Sequence, residues 1–176
     1  MTTTSLTRYD RGMLRLMNDR RARPLYATAV RRRLVVCAHV VLTTAIGGLL
    51  AHLSLAGTPP VWAVVTVAVL LLPWMVATGA INAATRGLLE LRGRALDERQ
   101  TAERARVRAR AHQVVSLLLA VAAVALLAGG AVDGRALSVY AAPLVIGVLA
   151  VHWLTPLWVA GLMARDEPAE DDGPVV

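Results

Sequence analysis

Four long runs without a single Asp, Glu, Lys or Arg decide what this chain can fold into. They cover residues 34–56, 61–84, 114–132 and 138–164. A helix needs roughly 20 apolar residues to cross a hydrocarbon core of about 30 Å, and each run meets or approaches that length. In lipid no water is available to backbone N–H and C=O groups, so an uncharged run of this length must be helical. The predicted fold is all-α: a polytopic membrane bundle of four transmembrane helices arranged as two hairpins. Apolar residues make up 56% of the 176-residue chain, and the mean hydropathy is +0.55. A soluble domain holds about 45–50% apolar residues, so the excess points the same way.

Between the runs, the connections divide into two kinds. Gly57, Thr58, Pro59 and Pro60 join the first two runs, and residues 131–137, with Asp133-Gly134 as a turn signal, join the last two. Neither is long enough for a domain. A polar stretch, residues 85–113, separates the hairpins. The predicted organisation is a basic tail over 1–33, a membrane domain over 34–164 carrying the 85–113 loop, and an acidic tail over 165–176.

Orientation follows from the arginines, of which there are 19 beside no lysine. Residues 1–33 hold nine and residues 85–113 hold eight, whereas the two short turns hold only Arg135. Arginine collects on the cytoplasmic side of a membrane, which predicts both termini inside. Ser54, Leu55 and Ala56 have the small-x-small form of a signal cleavage site. The apolar run before them is longer than a signal h-region of about 7–15 residues, so it reads as a retained anchor.

Flanking the spans, the basic segments invite specific roles. Leu6, Tyr9, Met13, Leu16 and Met17 recur at helical spacing with Arg8, Arg11 and Arg15 elsewhere. Two readings stand: an amphipathic helix in the headgroup layer, ended by Pro24, or a basic tail that only sets orientation. Arg31, Arg32 and Arg33 abut the first span and are expected to meet the phosphates of anionic lipid headgroups. In the central loop the second span is expected to continue to about Arg92, with Gly93 as a hinge. Asp97 and Glu98 then favour a helix start, and one helix can run from there into the third span.

Leu96, Asp97, Glu98, Arg99 and Gln100, followed by Arg104 and Arg108-Ala109 before an apolar span, form the most distinctive segment. Together with the four-span layout, this segment resembles a group of small uncharacterised membrane proteins of high-GC bacteria. The resemblance implies a multi-pass protein of the bacterial cell membrane, with no activity attached. It makes Asp97, Glu98, Arg99, Gln100, Arg104 and Arg108 a candidate partner-binding surface for a membrane or cytoplasmic protein. The competing reading is a solvated helix laced with charge.

Inside the membrane the polar candidates are His39, Thr43, Asn82 and His152. No span carries a carboxylate or arginine, which proton relays and ion-coupled carriers generally need. A histidine hydrogen-bonded across the bundle to Thr43, Thr78, Asn82 or Thr155 is the expected arrangement. Bis-histidine haem would need more facing ligands, and Cys37 is the only cysteine, so no cofactor and no metal are expected. Small residues at Gly47, Gly48, Ala77, Gly79, Ala80, Ala83 and Ala84 suggest close helix packing. Pro73, Pro143 and Pro156 suggest kinks, and Trp62 and Tyr140 suggest belt positions. Pro73 and Pro156 each open a Pro-x-x-Val-Ala segment, compatible with duplication or with chance.

Enzyme readings find no support: GxSxG, HExxH, a Walker lysine and a Cys/His cluster are all missing from the sequence. The basic pI of 11.1 is explained by topology and anionic lipid, without nucleic acid. Two function classes remain. One is a non-catalytic interaction or accessory protein docking a partner through its cytoplasmic loop. The other is a small permease-like subunit or transporter, which would have to homo-oligomerise to enclose a path.

Overall fold

A computed structural model of the chain describes residues 7–17, 23–56, 58–91, 93, 96–130 and 134–164. The elements in order are α1 (Arg8–Met17), α2 (Arg23–Tyr26), α3 (Ala29–Leu55), α4 (Val61–Ala84), α5 (Glu98–Gly130) and α6 (Gly134–Met163). No strand occurs among the described residues. Helices α3 to α6 are each long and apolar enough to cross a membrane. The acidic tail, Asp133 and Arg92 lie outside the described residues, as does the side chain of Tyr140.

Each helix is bounded by local chemistry. Thr28 caps α3, its hydroxyl accepting from the Arg31 N–H at 3.3 Å. Pro59 and Pro60 make the turn into α4, whose first turn tolerates the missing proline donor. Pro73 lies inside α4, and Pro143 and Pro156 lie inside α6. At α1, Thr7 and Asp10 form a reciprocal cap: Thr7 donates from N and Oγ1 to Asp10 Oδ2 at 3.0 and 2.7 Å, and Asp10 N returns a bond to Thr7 Oγ1. Helix α1 is described as far as Met17, and Pro24 sits in the first turn of α2.

The second span departs from expectation. It does not continue to Arg92 but ends at Ala84 in a Schellman turn. Arg86 (φ 51°) and Gly87 (φ 68°) are left-handed. The Arg86 N–H donates to the Ala83 carbonyl at 3.0 Å and the Gly87 N–H to the Asn82 carbonyl at 2.8 Å. Two of the carbonyls a helix end leaves open are thereby satisfied. Gly87 is required twice over, because a Cβ there would also lie 2.6 Å from Cγ of Met17. Thus α1 docks its Met17 end on this turn, and only Tyr9 keeps a large exposed apolar surface of those stripe residues whose burial is described.

The four long helices pack unequally. Helix α3 packs on α4 and α6, and α4 meets α6, while α5 packs chiefly along α6. Near the arginine-bearing end, Val36, Ile81 and Leu157 form one buried cluster, and Leu88, Val107 and Ala160 form a second. Gly161 permits the closest approach: a Cβ there would lie 2.9 Å from Ile81 Cγ2 and 3.0 Å from Val36 Cγ2. Ala77, Ala80 and Ala83 of the small-residue face are buried, whereas Gly47, Gly48 and Gly79 meet no neighbour that a Cβ would touch.

Large apolar side chains are exposed on all four long helices, among them Val41, Val61, Leu127 and Trp153, the last three at 76%. Water-soluble monomers do not present apolar surface on this scale. Lipid is the solvent that accepts it, and the chain is a multi-pass membrane protein with Trp62 exposed at the start of α4.

Candidate functional site

The charged segment singled out by the sequence is a built structure, not a free strip of charge. Asp97 caps α5: the Gln100 N–H donates to Asp97 Oδ1 at 2.6 Å, and Gln100 Oε1 accepts from the Asp97 N–H at 3.1 Å. This reciprocal pair is a capping box, which satisfies two donors that a helix start leaves open. Arg104 turns back across the link. Its Nε donates to the Leu88 carbonyl at 2.6 Å and its guanidinium also to the Leu91 carbonyl. These bonds fasten α5 to the turn after α4, where Leu88 and Leu91 are buried.

The six candidate residues therefore divide. Asp97, Gln100 and Arg104 hold the fold, while Glu98, Arg99 and Arg108 are exposed with no such engagement in the geometry above. Arg104 is half-buried and spends two of its five donors on backbone carbonyls, so its first role is to hold the link between α4 and α5. Of the three arginines expected to meet lipid phosphate, Arg31 and Arg33 are exposed. Arg32 is a correction: it is 6% exposed and donates to the Ala164 carbonyl at 2.8 Å and to Tyr26 O at 3.3 Å. It ties the start of α3 to the end of α6, because a buried guanidinium must be satisfied internally.

Within the membrane the polar side chains converge on His39, which is completely buried. The Trp158 Nε1–H of α6 donates to His39 Nδ1 at 2.9 Å. His39 Nε2 lies 2.8 Å from Thr78 Oγ1 of α4. Indole nitrogen can only donate, so Nδ1 must be the acceptor and the proton must sit on Nε2. Thr78 then accepts from His39 and donates to the Trp74 carbonyl at 2.9 Å. Thr43 donates to the His39 carbonyl at 2.8 Å and accepts from Trp74 Nε1 at 2.9 Å. The set closes with one neutral tautomer and joins three helices. The rings also pack, with His39 and Trp74 centroids 4.9 Å apart.

Thr43 and Thr78 were legible partners of His39; the two tryptophans were not anticipated. The available signal was Trp74 standing four residues before Thr78, and an indole donor that must find an acceptor in lipid. The Pro-x-x-Val-Ala segments acquire a shared feature, since each brings a tryptophan, Trp74 or Trp158, against the His39 cluster. Asn82 and Thr155 do not reach His39. Thr155 bonds its own helix at Val151, and Asn82 Oδ1 is buried without a partner. His152 is exposed on α6. With both ring nitrogens engaged, His39 has none to offer a metal, and the described residues contain no cluster of three potential metal ligands.

Directly beside this cluster lies a cavity of about 760 Å³. Thr43 and Trp74 belong to both, and Gly47, Leu118, Gly147 and Leu154 represent its apolar wall. It is the space left because α5 leans on α6 and not on α3 or α4. Its size falls in the range of about 300–1,000 Å³ typical of small-molecule sites.

Comparison of the chain with protein-family models, with curated proteins and with solved structures finds no significant match.

Proposed function

We propose that this is a non-catalytic accessory protein of the bacterial cell membrane that docks a protein partner at the cytoplasmic start of α5. One observation carries the reading. The exposed pair Glu98-Arg99 stands at the head of a single 33-residue helix whose start is held by the Asp97–Gln100 box and the Arg104 clamp. A helix that needed only to enter the membrane would require no such fixation. A charged pair on a fixed helix start supports recognition, because the backbone beneath it need not be ordered on binding.

The test must spare the residues that hold the fold. Reversing Asp97 would remove the cap and lose about 1 kcal/mol of helix stability, so an effect there would be ambiguous. The swap Glu98→Arg with Arg99→Glu keeps the box, the clamp and the net charge. Exposed positions of this kind change stability by less than about 0.5 kcal/mol. In a crosslinking pulldown from native membranes, the swapped protein should be present at normal abundance and recover its partner at a yield reduced severalfold. Equal recovery would leave the segment as a solvated helix.

A second reading, a small permease-like subunit or homo-oligomeric transporter, has the cavity behind it. The wall is apolar, so the cargo of such a carrier would be apolar as well.

A further inference from the structure

The packing register sets α5 at a different depth from its neighbours. Val36 of α3 lies beside Gly161 and in one cluster with Leu157. Val107 of α5 shares the neighbouring cluster with Ala160. Val36 and Val107 thus stand within about one helical turn of the same height, roughly 5 Å. From that common height the apolar surface begins at different places. On α3 it starts at Leu34, two residues toward the arginine-bearing end, whereas on α5 it starts at Val114, seven residues away from it. Nine residues of helix correspond to about 13 Å.

Arg106, Arg108 and Arg110 fill that offset, and all three are exposed. Glu103 stands one turn before Arg106, and no Asp or Glu follows it in α5, so Arg108 and Arg110 have no acidic neighbour one turn away on the helix. Their spacing matters as much as their depth. Arg106 and Arg110, one turn apart, point within about 40° of each other, and Arg108 points about 200° from Arg106, so the three guanidiniums stand on two sides of α5. A protein partner approaching from one side would meet one or two of them. Lipid surrounds the helix and can meet all three.

We infer that the α5 flank at Arg106, Arg108 and Arg110 is a binding surface for the phosphates of anionic phospholipids. The headgroups are drawn toward the membrane interior at the depth where α3 is already apolar. Arginines so placed are satisfied by phosphate and by local thinning of the leaflet. This inference is independent of a partner at Glu98 and Arg99, which lie two turns further into the cytoplasm.

The test reconstitutes the full chain in phosphatidylcholine vesicles holding a minor share of phosphatidylglycerol. Polymer nanodiscs are then excised and their lipid quantified. The wild-type discs should be enriched in phosphatidylglycerol about fivefold over bulk. The triple variant R106Q/R108Q/R110Q should lose most of that enrichment, the remainder belonging to Arg31 and Arg33, and R106K/R108K/R110K should keep it, since lysine also offers phosphate a charge. Unenriched wild-type discs, or a glutamine variant enriched as strongly as wild type, would overturn the inference. A nitroxide on Ala109→Cys in a Cys37→Ser background, with every arginine in place, guards against a variant that fails to insert. It should broaden the headgroup phosphorus signal. A label that instead leaves the phosphorus signal sharp, or couples to the label of a second copy, would overturn the inference equally.

Discussion

Replacing His39 with alanine should destabilise the detergent-solubilised protein by about 3 kcal/mol, most of it from packing and less from hydrogen bonding. Truncating a large buried side chain to alanine costs about 2–5 kcal/mol through lost contacts and the cavity left behind. Hydrogen bonds between membrane helices contribute only about 0.6 kcal/mol each on average, and His39 makes two through its ring. His39→Gln separates the contributions, because its amide can accept from Trp158 and donate to Thr78. It should recover at least the hydrogen-bonding share. Reversible unfolding in mixed micelles, followed by tryptophan fluorescence, reads both the stability and the environment of Trp74 and Trp158. An alanine variant as stable as the parent would show that the cluster does not join α3, α4 and α6.

Gly161→Leu should be at least as damaging, for the opposite reason. The glycine allows α6 to approach Ile81 and Val36 so closely that even a Cβ would lie about 2.9 Å from one methyl and 3.0 Å from the other. Overpacking a filled core costs about 1–3 kcal/mol for a few added carbons. Here the added atoms meet β-branched side chains on two different helices, neither of which can swing away freely. The expected loss is about 3 kcal/mol or more, with Gly161→Ala intermediate. Because α5 packs on α6, separation of α6 from α3 would also divide the two hairpins. Gly47→Leu and Gly79→Leu meet no atom at the Cβ position and should be tolerated by the monomer.

This contrast shows where the sequence could be read and where it could not. The spans and their pairing depend on long-range averages, charge exclusion and turn length, so four helices in two hairpins were legible. Helix contacts depend on which single glycine faces a neighbour. Gly47, Gly48 and Gly79 look in sequence like close-approach positions, yet Gly161, set among bulkier residues, is the one used. The end of α4 was misplaced because Leu88, Leu89 and Leu91 continue the apolar pattern past Gly87. Their apolar character instead reflects burial of the turn against Val107 and Ala160, a contact over a long sequence separation. Asp97 was recognised as favouring a helix start, but its reciprocal bond with Gln100 is a side-chain geometry that charge counting does not reveal. Arg32 and Arg104 were grouped with their neighbours by charge. Only the fold distinguishes an arginine bonded to backbone carbonyl groups from one in solvent or headgroups.

Docking at the start of α5 and lipid binding on its flank both require four spans with the arginine-rich segments on one side, and cysteine labelling from each side of sealed membranes tests that arrangement most directly. Cys37 is replaced by serine, and single cysteines are placed at Thr58, in the turn between α3 and α4, and at Thr101, near the start of α5. A membrane-impermeant maleimide added outside intact cells should label Thr58→Cys and leave Thr101→Cys unmodified until the membrane is opened. The reverse pattern, or outside labelling at both positions, would contradict the account.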